Sequence, residues 1–243
     1  MNSNRAILLT GLLLVVILAV FESTSVDLLV QDRLYDAASG GWVIDRDAPL
    51  PKLVFYDAPK VGVGVLSGFL LLCAVAPASW SARFPLSRRE AAFLLVCIAS
   101  VVFTAGLLKK TTGVFGPWKI ARYGGEAPYR KLFESIPYVS GQLRGRGFPA
   151  AHCSGAFALM GLYFVGKGSA ARRLGLACGL ATGWTVGVYQ ILKGAHYLSH
   201  TLVTMVLAWM IIQLVSRAFG LDGPAQGEIV TLRLASQSVG RTS

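Results

Sequence analysis

Residues 91–108 read AAFLLVCIASVVFTAGLL, a run of 18 residues without a charged side chain. Charged residues precede the run at 88–90 and follow it at 109–110. A helix rises about 1.5 Å per residue, so this run nearly spans the roughly 30 Å hydrocarbon core of a bilayer. The stretch therefore predicts a transmembrane helix whose two ends lie at the membrane surfaces.

Five further apolar runs surround this one, and they lie at 6–21, 61–82, 148–166, 174–192 and 198–216. Hydrophobic residues make up 54% of the chain and charged residues only 14%, against about 25% in soluble domains. The sequence thus predicts an all-α bundle of six transmembrane helices in residues 1–220. The polar residues 221–243 are predicted to form a disordered cytoplasmic tail.

The charges between the runs predict the orientation of the bundle. The first run follows Arg5, as in a secretory signal peptide, but the weak cleavage site at 22–25 favours an uncleaved helix. The short segments 83–90 and 167–173 are basic and nearly free of acids, which is typical of cytoplasmic loops. Six spans place both termini on that same side. The other side then holds the segments 22–60, 109–147 and 193–197.

The net charge of +11 suits either nucleic acid or anionic lipid as a partner. Many of the basic residues flank apolar runs, so a membrane lipid is predicted and a nucleic acid is not. The four cysteines lie in or beside apolar runs without CxxC spacing, and they are Cys73, Cys97, Cys153 and Cys178. They are interpreted as small buried residues rather than as a disulfide framework or metal ligands.

All three histidines fall near helix ends on the predicted non-cytoplasmic side. His152 opens the fourth run, and His196 and His200 lie between the fifth and the sixth. Lys109 ends the third run at the same membrane depth. The fold is therefore predicted to bring these side chains together in one basin on that side.

Three short stretches around these residues have characteristic spacings. Residues 109–117 (KKTTGVFGP) have the spacing of KxxxxxxRP, residues 148–155 (FPAAHCSG) that of PSGH, and residues 190–200 (QILKGAHYLSH) that of RxxxxxHxxxD. Over residues 91–216 the chain resembles the type 2 phosphatidic acid phosphatase (PAP2) superfamily. The resemblance implies six helices with the catalytic motifs facing one side, in agreement with the topology above.

The resemblance implies that phosphate is removed from a lipid through a phosphohistidine. His196 would be the nucleophile, His152 the general acid and Lys109 a phosphate ligand. A neutral imidazole is nucleophilic near pH 7, and a second imidazole can donate a proton there. No metal or other cofactor is implied. The implied substrates are lipid A, undecaprenyl diphosphate or a glycerophospholipid phosphate, at a bacterial inner membrane with the site facing the periplasm.

Several motif positions hold residues that depart from the family pattern. Gly116 and Gln190 stand where the family has arginines, and Ala150 and Ala151 replace a serine and a glycine. His200 replaces the aspartate that orients the nucleophile, and it can still accept a hydrogen bond from the His196 ring. Replacement cations for phosphate are predicted among the basic residues nearby, which are Lys110, Arg122, Arg144, Arg146 and Lys193.

Other functions stay open on the sequence alone. His196 and His200, four residues apart, can form a metal site with His152, although no HExxH glutamate accompanies them. The phosphoryl group can also pass to a second lipid, which would make the protein a phosphotransferase. A non-catalytic lipid-binding relative, with the basic loop 109–146 as its headgroup surface, is a further alternative. The sequence indicates no oligomeric state.

Overall fold

The computed structural model describes residues 3–77, 84–134 and 144–221. Parts of four predicted segments lie outside these ranges, namely those at 61–82, 83–90, 109–147 and 221–243. The described chain is mainly helical. Its helices are α1 (Ser3–Ser23), α2 (Val26–Asp32), α3 (Pro49–Val75), α4 (Arg88–Thr111), α5 (Ala151–Val165), α6 (Ser169–Leu192) and α7 (Leu198–Ala218).

A small hairpin follows α2, and two 3-10 turns follow α4. Strands β1 (Tyr35–Asp36) and β2 (Gly41–Trp42) pair antiparallel, and the 3-10 turns lie at Pro117–Lys119 and Ala121–Tyr123. Beyond β2, the Ile44 N–H donates to the carbonyl of Leu192, the last residue of α6. This contact attaches the hairpin region to the end of the bundle where α6 ends.

Five of the helices are long and apolar enough to cross a membrane, and they are α1, α3, α4, α6 and α7. The predicted run at 148–166 forms α5, which is shorter and contains a 3-10 turn at Leu159–Gly161. It packs against α4, α6 and α7, and its Phe157 is fully buried among them. The all-α membrane bundle is confirmed, but the described residues contain five full-length spans rather than the six predicted.

Helix α3 begins at Pro49, well before the predicted run at 61–82. Its first turns contain a π-helical segment, Leu53–Asp57. The predicted start of this run, at residue 61, therefore lies inside the helix and not at its beginning. Charged residues at 52, 57 and 60 interrupt the apolar pattern there, although they do not interrupt the helix.

Apolar side chains cover the outer surface of α1 and α3. Leu8, Leu12 and Val65 are each more than half exposed, and many neighbours on the same two helices are similar. Lipid tails can cover such side chains, whereas a soluble monomer rarely exposes so much apolar surface. The outer surface therefore fits the membrane location that the composition predicts.

A row of glycines lets α6 pack closely against α5 and α7. A Cβ added at any of these glycines would lie 2.8 Å or less from an atom of α5 or α7. The glycines thus give α6 a smooth face, and close helix approach is its physical consequence. The glycines are spaced four residues apart, at Gly175, Gly179, Gly183 and Gly187.

The helix ends that carry the predicted site residues lie at one end of the bundle. A capping box begins α4, in which the Ser87 hydroxyl accepts from the Glu90 N–H and the Glu90 carboxylate accepts from the Ser87 N–H. The helix then runs to Thr111, so that Lys109 lies in its last turn. Because α4 and α5 run in opposite directions, the end of α4 meets the start of α5.

Candidate active site

A cleft of about 770 Å³ opens at this end of the bundle. It lies between the end of α4, the start of α5 and the loop that joins α6 to α7. His152 and His196 both line it. Among the residues that the structure describes, the lining contains no carboxylate but five cations, Lys109, Lys110, Lys119, Arg144 and Arg146. Such a lining favours a multiply charged anion, of which phosphate is one.

His152 lies in the first turn of α5 and is held by two partners. Its Nε2 lies 3.4 Å from Lys109 Nζ, and its Nδ1 lies 3.2 Å from the Tyr56 hydroxyl. An ammonium group can only donate, so Nε2 accepts from Lys109 and the ring carries its proton on Nδ1. The Tyr56 oxygen then accepts that proton. This arrangement fixes the plane of the His152 ring in the cleft.

Tyr56 is a site residue that the sequence did not reveal. It belongs to the π-helical turn Leu53–Asp57 of α3, and its ring also lies edge to face with His152 at 5.3 Å between centroids. Such π-helical turns are often found at functional sites. No local pattern marks this one, because Tyr56 and His152 are 96 positions apart in the chain.

His196 lies in the loop before α7 and is only 2% exposed. Burial lowers its pKa well below the ordinary histidine value, and the nearby His200, His152 and Lys109 lower it further. The backbone of Gly147 opposes this shift only in part. The ring is therefore neutral at neutral pH, which is the nucleophilic form of an imidazole.

His200 faces His196 across the start of α7. The two Nδ1 atoms are 3.4 Å apart, and a neutral pair needs one of them to donate and the other to accept. Donation from His196 Nδ1–H leaves the Nε2 lone pair of His196 unprotonated. His200 is itself 2% exposed and lies edge to face with Phe148 and Tyr197, so its ring has a defined orientation.

Helix α2 supports the loop that carries His196. Gln31 Nε2 donates to the His196 carbonyl at 3.1 Å. The buried Asp27 carboxylate accepts from the Ser199 N–H at 2.9 Å and from the Ser199 hydroxyl. Because Ser199 lies in the first turn of α7, Asp27 acts as a helix cap supplied from another helix. Burial raises the pKa of Asp27, whereas the hydrogen bonds from Ser199 act in the opposite direction.

The first motif packs directly on the loop that carries His196. The Trp118 N–H donates to the Gly194 carbonyl at 2.9 Å. A Cβ added at Gly116 would lie 2.4 Å from the carbonyl oxygen of Ala195. The backbone therefore has no room here for the family arginine, and the cations of this cleft have to come from other positions.

The structure separates the predicted phosphate-binding residues into two groups. Lys109, Lys110, Arg144 and Arg146 line the cleft, as does Lys119, which was not predicted. Lys193 belongs to the second group, which does not line the cleft. Its ammonium group lies 5.7 Å from the Tyr56 ring centroid and 4.5 Å from that of Tyr189. Arg122 lies apart from the cleft and forms a bidentate ion pair with Asp32 at 2.8 and 2.7 Å.

The ring of His196 contacts the rings of the other two histidines edge to face. Centroids of His152 and His196 are 5.3 Å apart, and those of His196 and His200 are 5.6 Å apart. In the described part of the chain, no group of three or more His, Cys, Asp or Glu side chains is arranged to hold a metal ion.

The fold and the site together define a helical membrane protein with a cationic, histidine-containing cleft at one end of its bundle. A model of the PAP2 superfamily matches residues 90–223, which is more than half of the chain, and the protein belongs to this superfamily. The resemblance seen in the three motifs is thus confirmed. No curated protein and no solved structure matches the chain. Membership suggests phosphatase-type chemistry on a lipid phosphate.

Proposed function

We propose that this protein is a membrane lipid phosphatase that forms a phosphohistidine on His196. The observation that carries the proposal is the convergence of two histidines and a lysine, at the family's motif positions, in one cationic cleft. The rings of His152 and His196 lie 5.3 Å apart, and Lys109 Nζ lies 3.4 Å from His152 Nε2. A phosphoryl group beside the two rings has a nucleophile and a proton donor within reach.

In the first step, the Nε2 lone pair of His196 attacks phosphorus, and the bond from phosphorus to the lipid oxygen breaks. When the phosphate binds, Lys109 turns to it and His152 takes up a second proton on Nε2, because a nearby anion favours the charged imidazole. His152 gives this proton to the leaving oxygen, so the lipid leaves as an alcohol. A diphosphate substrate leaves as the lipid monophosphate instead. Lys109 and the other cleft cations hold the non-bridging oxygens, over which the transition-state charge is spread.

In the second step, water attacks the phosphohistidine. The neutral His152 takes a proton from that water, the phosphorus–nitrogen bond breaks, and inorganic phosphate leaves. His196 returns to its neutral form and His152 to its protonated form. Throughout, His200 accepts from the His196 Nδ1–H and keeps Nε2 directed at the cleft, without the charge stabilisation that a carboxylate supplies.

The proposed substrate is a lipid phosphate or diphosphate of the lipid A, undecaprenyl diphosphate or glycerophospholipid type. The proposed location is a bacterial inner membrane with the cleft facing the periplasm. The cleft lies at the opposite end of the bundle from Ser169. Ser169 belongs to the basic segment 167–173, whose charge predicts a cytoplasmic location. A membrane-impermeant thiol reagent should label a cysteine placed at Arg33 in intact cells but not one at Ser169.

The proposal is tested by phosphate release from a panel of these lipids by purified protein in detergent. The wild type should release phosphate and His196→Ala should not, while Lys167→Ala, a cation far from the cleft, should match the wild type. With a substrate labelled in the scissile phosphate, the wild type should carry an acid-labile label that His196→Ala lacks. Binding of these lipids without any phosphate release would instead favour the non-catalytic alternative.

Two further measurements separate the remaining alternatives. Transfer of the labelled phosphate to a second lipid, rather than to water, would identify a phosphotransferase built on the same phosphohistidine. Because no proposed step uses a metal, activity should survive EDTA. Loss of activity on chelation, with recovery on adding zinc, would favour the metal site on the three histidines.

A further inference from the structure

A second cleft, of about 850 Å³, adjoins the first. The two clefts share three lining residues, Phe115, Trp118 and Lys119. The second continues away from the histidines between the hairpin region and the loop that follows the first motif. Of these two clefts, the second alone is lined by Arg46 and Arg130.

Two cations of the second cleft are held on one aromatic ring. The Arg46 guanidinium carbon lies 3.6 Å from the Trp118 ring centroid, and Lys119 Nζ lies 3.9 Å from it. The indole attracts both, but two like charges gathered on one ring repel each other. Burial lowers the pKa of Arg46, an effect that the neighbouring Asp47 partly opposes. An anion bound beside either cation would offset this repulsion.

In the part of the chain that the structure describes, no cation of the second cleft forms an ion pair with a carboxylate within 4 Å. In the described residues, the one ion pair within 4 Å joins Arg122 to Asp32. Arg46, Lys119 and Arg130 are therefore outside any such pair, and Glu126 is the one acid that lines this cleft in the described chain. A half-buried cation without a counter-ion is an arrangement that favours an incoming anion.

The walls of the second cleft are fixed by packing. Tyr35, Trp42 and Tyr123 form an aromatic cluster with centroids 5.0 to 5.3 Å apart. The Ala127 N–H donates to the Lys119 carbonyl at 2.8 Å, which closes the loop that carries Lys119. Trp42 also packs on Gly194, where an added Cβ would lie 2.2 Å from the indole. The cleft is therefore preformed and attached to the loop that carries His196.

We infer that the second cleft binds a second phosphate of the lipid headgroup, separated from the scissile phosphate by a spacer. This inference rests on the proposed phosphatase function. Of the two clefts, Arg46 and Arg130 line only the second, so we expect a phosphate bonded through one oxygen to the scissile phosphate to stay within the first cleft. The substrate class is thus a lipid whose headgroup carries two separate phosphates, one for each cleft, rather than a lipid diphosphate.

The test compares three synthetic lipids with the same acyl or prenyl chains in neutral detergent micelles. The first carries the scissile phosphate on a disaccharide with a second phosphate at its far end. The second has a hydroxyl in place of that second phosphate, and the third is a simple diphosphate. The wild type should show a kcat/KM for the first lipid at least about 10-fold above that for the second, because charged hydrogen bonds contribute at this level.

The variants Arg46→Gln and Arg130→Gln should each reduce that preference about 10-fold, mainly through KM. Their kcat/KM for the lipid with the hydroxyl should stay at the wild-type value, which also shows that they are folded. Arg33→Gln, an exposed cation of the same region that lines neither cleft, should leave the preference unchanged. The preference should also shrink as ionic strength rises.

Equal kcat/KM values for the first and second lipids, unchanged in both variants, would overturn the inference and leave the proposed phosphatase function intact. A preference for the simple diphosphate that survives Arg46→Gln and Arg130→Gln would also overturn it, because the second phosphate would then lie in the first cleft. Phosphate release from none of the three lipids would instead remove the phosphatase function itself.

Discussion

The part of the chain before α4 and the part that matches the PAP2 superfamily contribute to the cleft in different ways. Residues 90–223 contain the groups that we propose for the chemistry, the three histidines and Lys109. Helices α2 and α3, outside the match, supply the contacts that hold those groups. The comparison teaches that a motif describes the chemistry of a site, while its geometry can depend on segments that carry no motif.

The contacts from the two helices are specific. Tyr56 of α3 contacts His152, and Gln31 and Asp27 of α2 bind the His196 carbonyl and the first turn of α7. Each of these contacts joins positions that are 96 to 172 residues apart. The division predicts large losses of turnover when His196 or His152 is removed from the matched region, and small losses, of kcat alone, from changes in the supporting helices.

The largest effect is expected for His196→Ala. Removing the nucleophile should lower kcat by about 10⁴-fold or more, since residues that form a covalent intermediate act as a unit with their partners. The loss of kcat is measured by phosphate release from the lipid of the panel that the wild type hydrolyses fastest. Thermal unfolding in detergent checks that the variant is folded. Turnover within tenfold of the wild type would show that the nucleophile lies elsewhere.

His152→Ala should lower kcat by about 10²–10⁴-fold, the usual range for a positioned general acid. The loss should shrink for an aryl phosphate, because a good leaving group needs no proton. Comparing the two substrates in the same variant separates proton donation from a structural role. An equal loss on both substrates would remove His152 from its role as the acid.

Tyr56→Phe should lower kcat by about 2- to 10-fold with little change in KM. The change removes the hydroxyl that accepts from His152 Nδ1 but keeps the ring, and one hydrogen bond contributes about 0.5–1.5 kcal/mol. Tyr163→Phe, away from both clefts, serves as the matched control. A rise in KM at constant kcat would mean that Tyr56 contacts the substrate instead of positioning His152.

The smallest effect at neutral pH is expected for His200→Asp. A carboxylate beside His196 favours its protonated ring, so the pKa of His196 should rise. The wild type should stay active as pH falls to 6.5, because the pKa of His196 lies below its ordinary value. In His200→Asp the acid limb of kcat/KM should move to higher pH, with turnover near pH 8 kept or raised. An unshifted limb would show that the titrating group is not His196.

The helices could be predicted because uncharged runs of this length are rare outside membrane-spanning segments. The start of α3 could not, because three charged residues lie within its first turns. The length of α5 was overestimated because a fully buried helix is as apolar as one that faces lipid. Sequence hydropathy does not distinguish those two environments, whereas packing against α4, α6 and α7 does.

The histidines and Lys109 were found because their spacing within each motif is local. Tyr56, Asp27 and Gln31 were not, because each acts through a contact distant in sequence. Arg122 shows that local patterns also miss distant partners. It lies in a basic loop and was predicted to bind phosphate, and the structure pairs it with Asp32, 90 positions away.

Restoring the family arginine at position 116 on the basis of the sequence alone would be misleading. The close approach of the first motif to Ala195 leaves no space for a side chain at position 116. The sequence shows that the family arginine is gone, and the structure shows why it cannot simply be returned. The cations at 144 and 146 reach the cleft from the other end of the same loop.

The carboxylate-free lining of the first cleft has a consequence for the end of the catalytic cycle. Among the described residues, five cations and no acid line the cleft from which the proposed mechanism releases inorganic phosphate. His200, neutral where the family has an aspartate, adds no negative charge to repel the departing dianion. We therefore expect phosphate to dwell in the cleft, so that its escape limits the steady-state rate and added orthophosphate competes with the lipid.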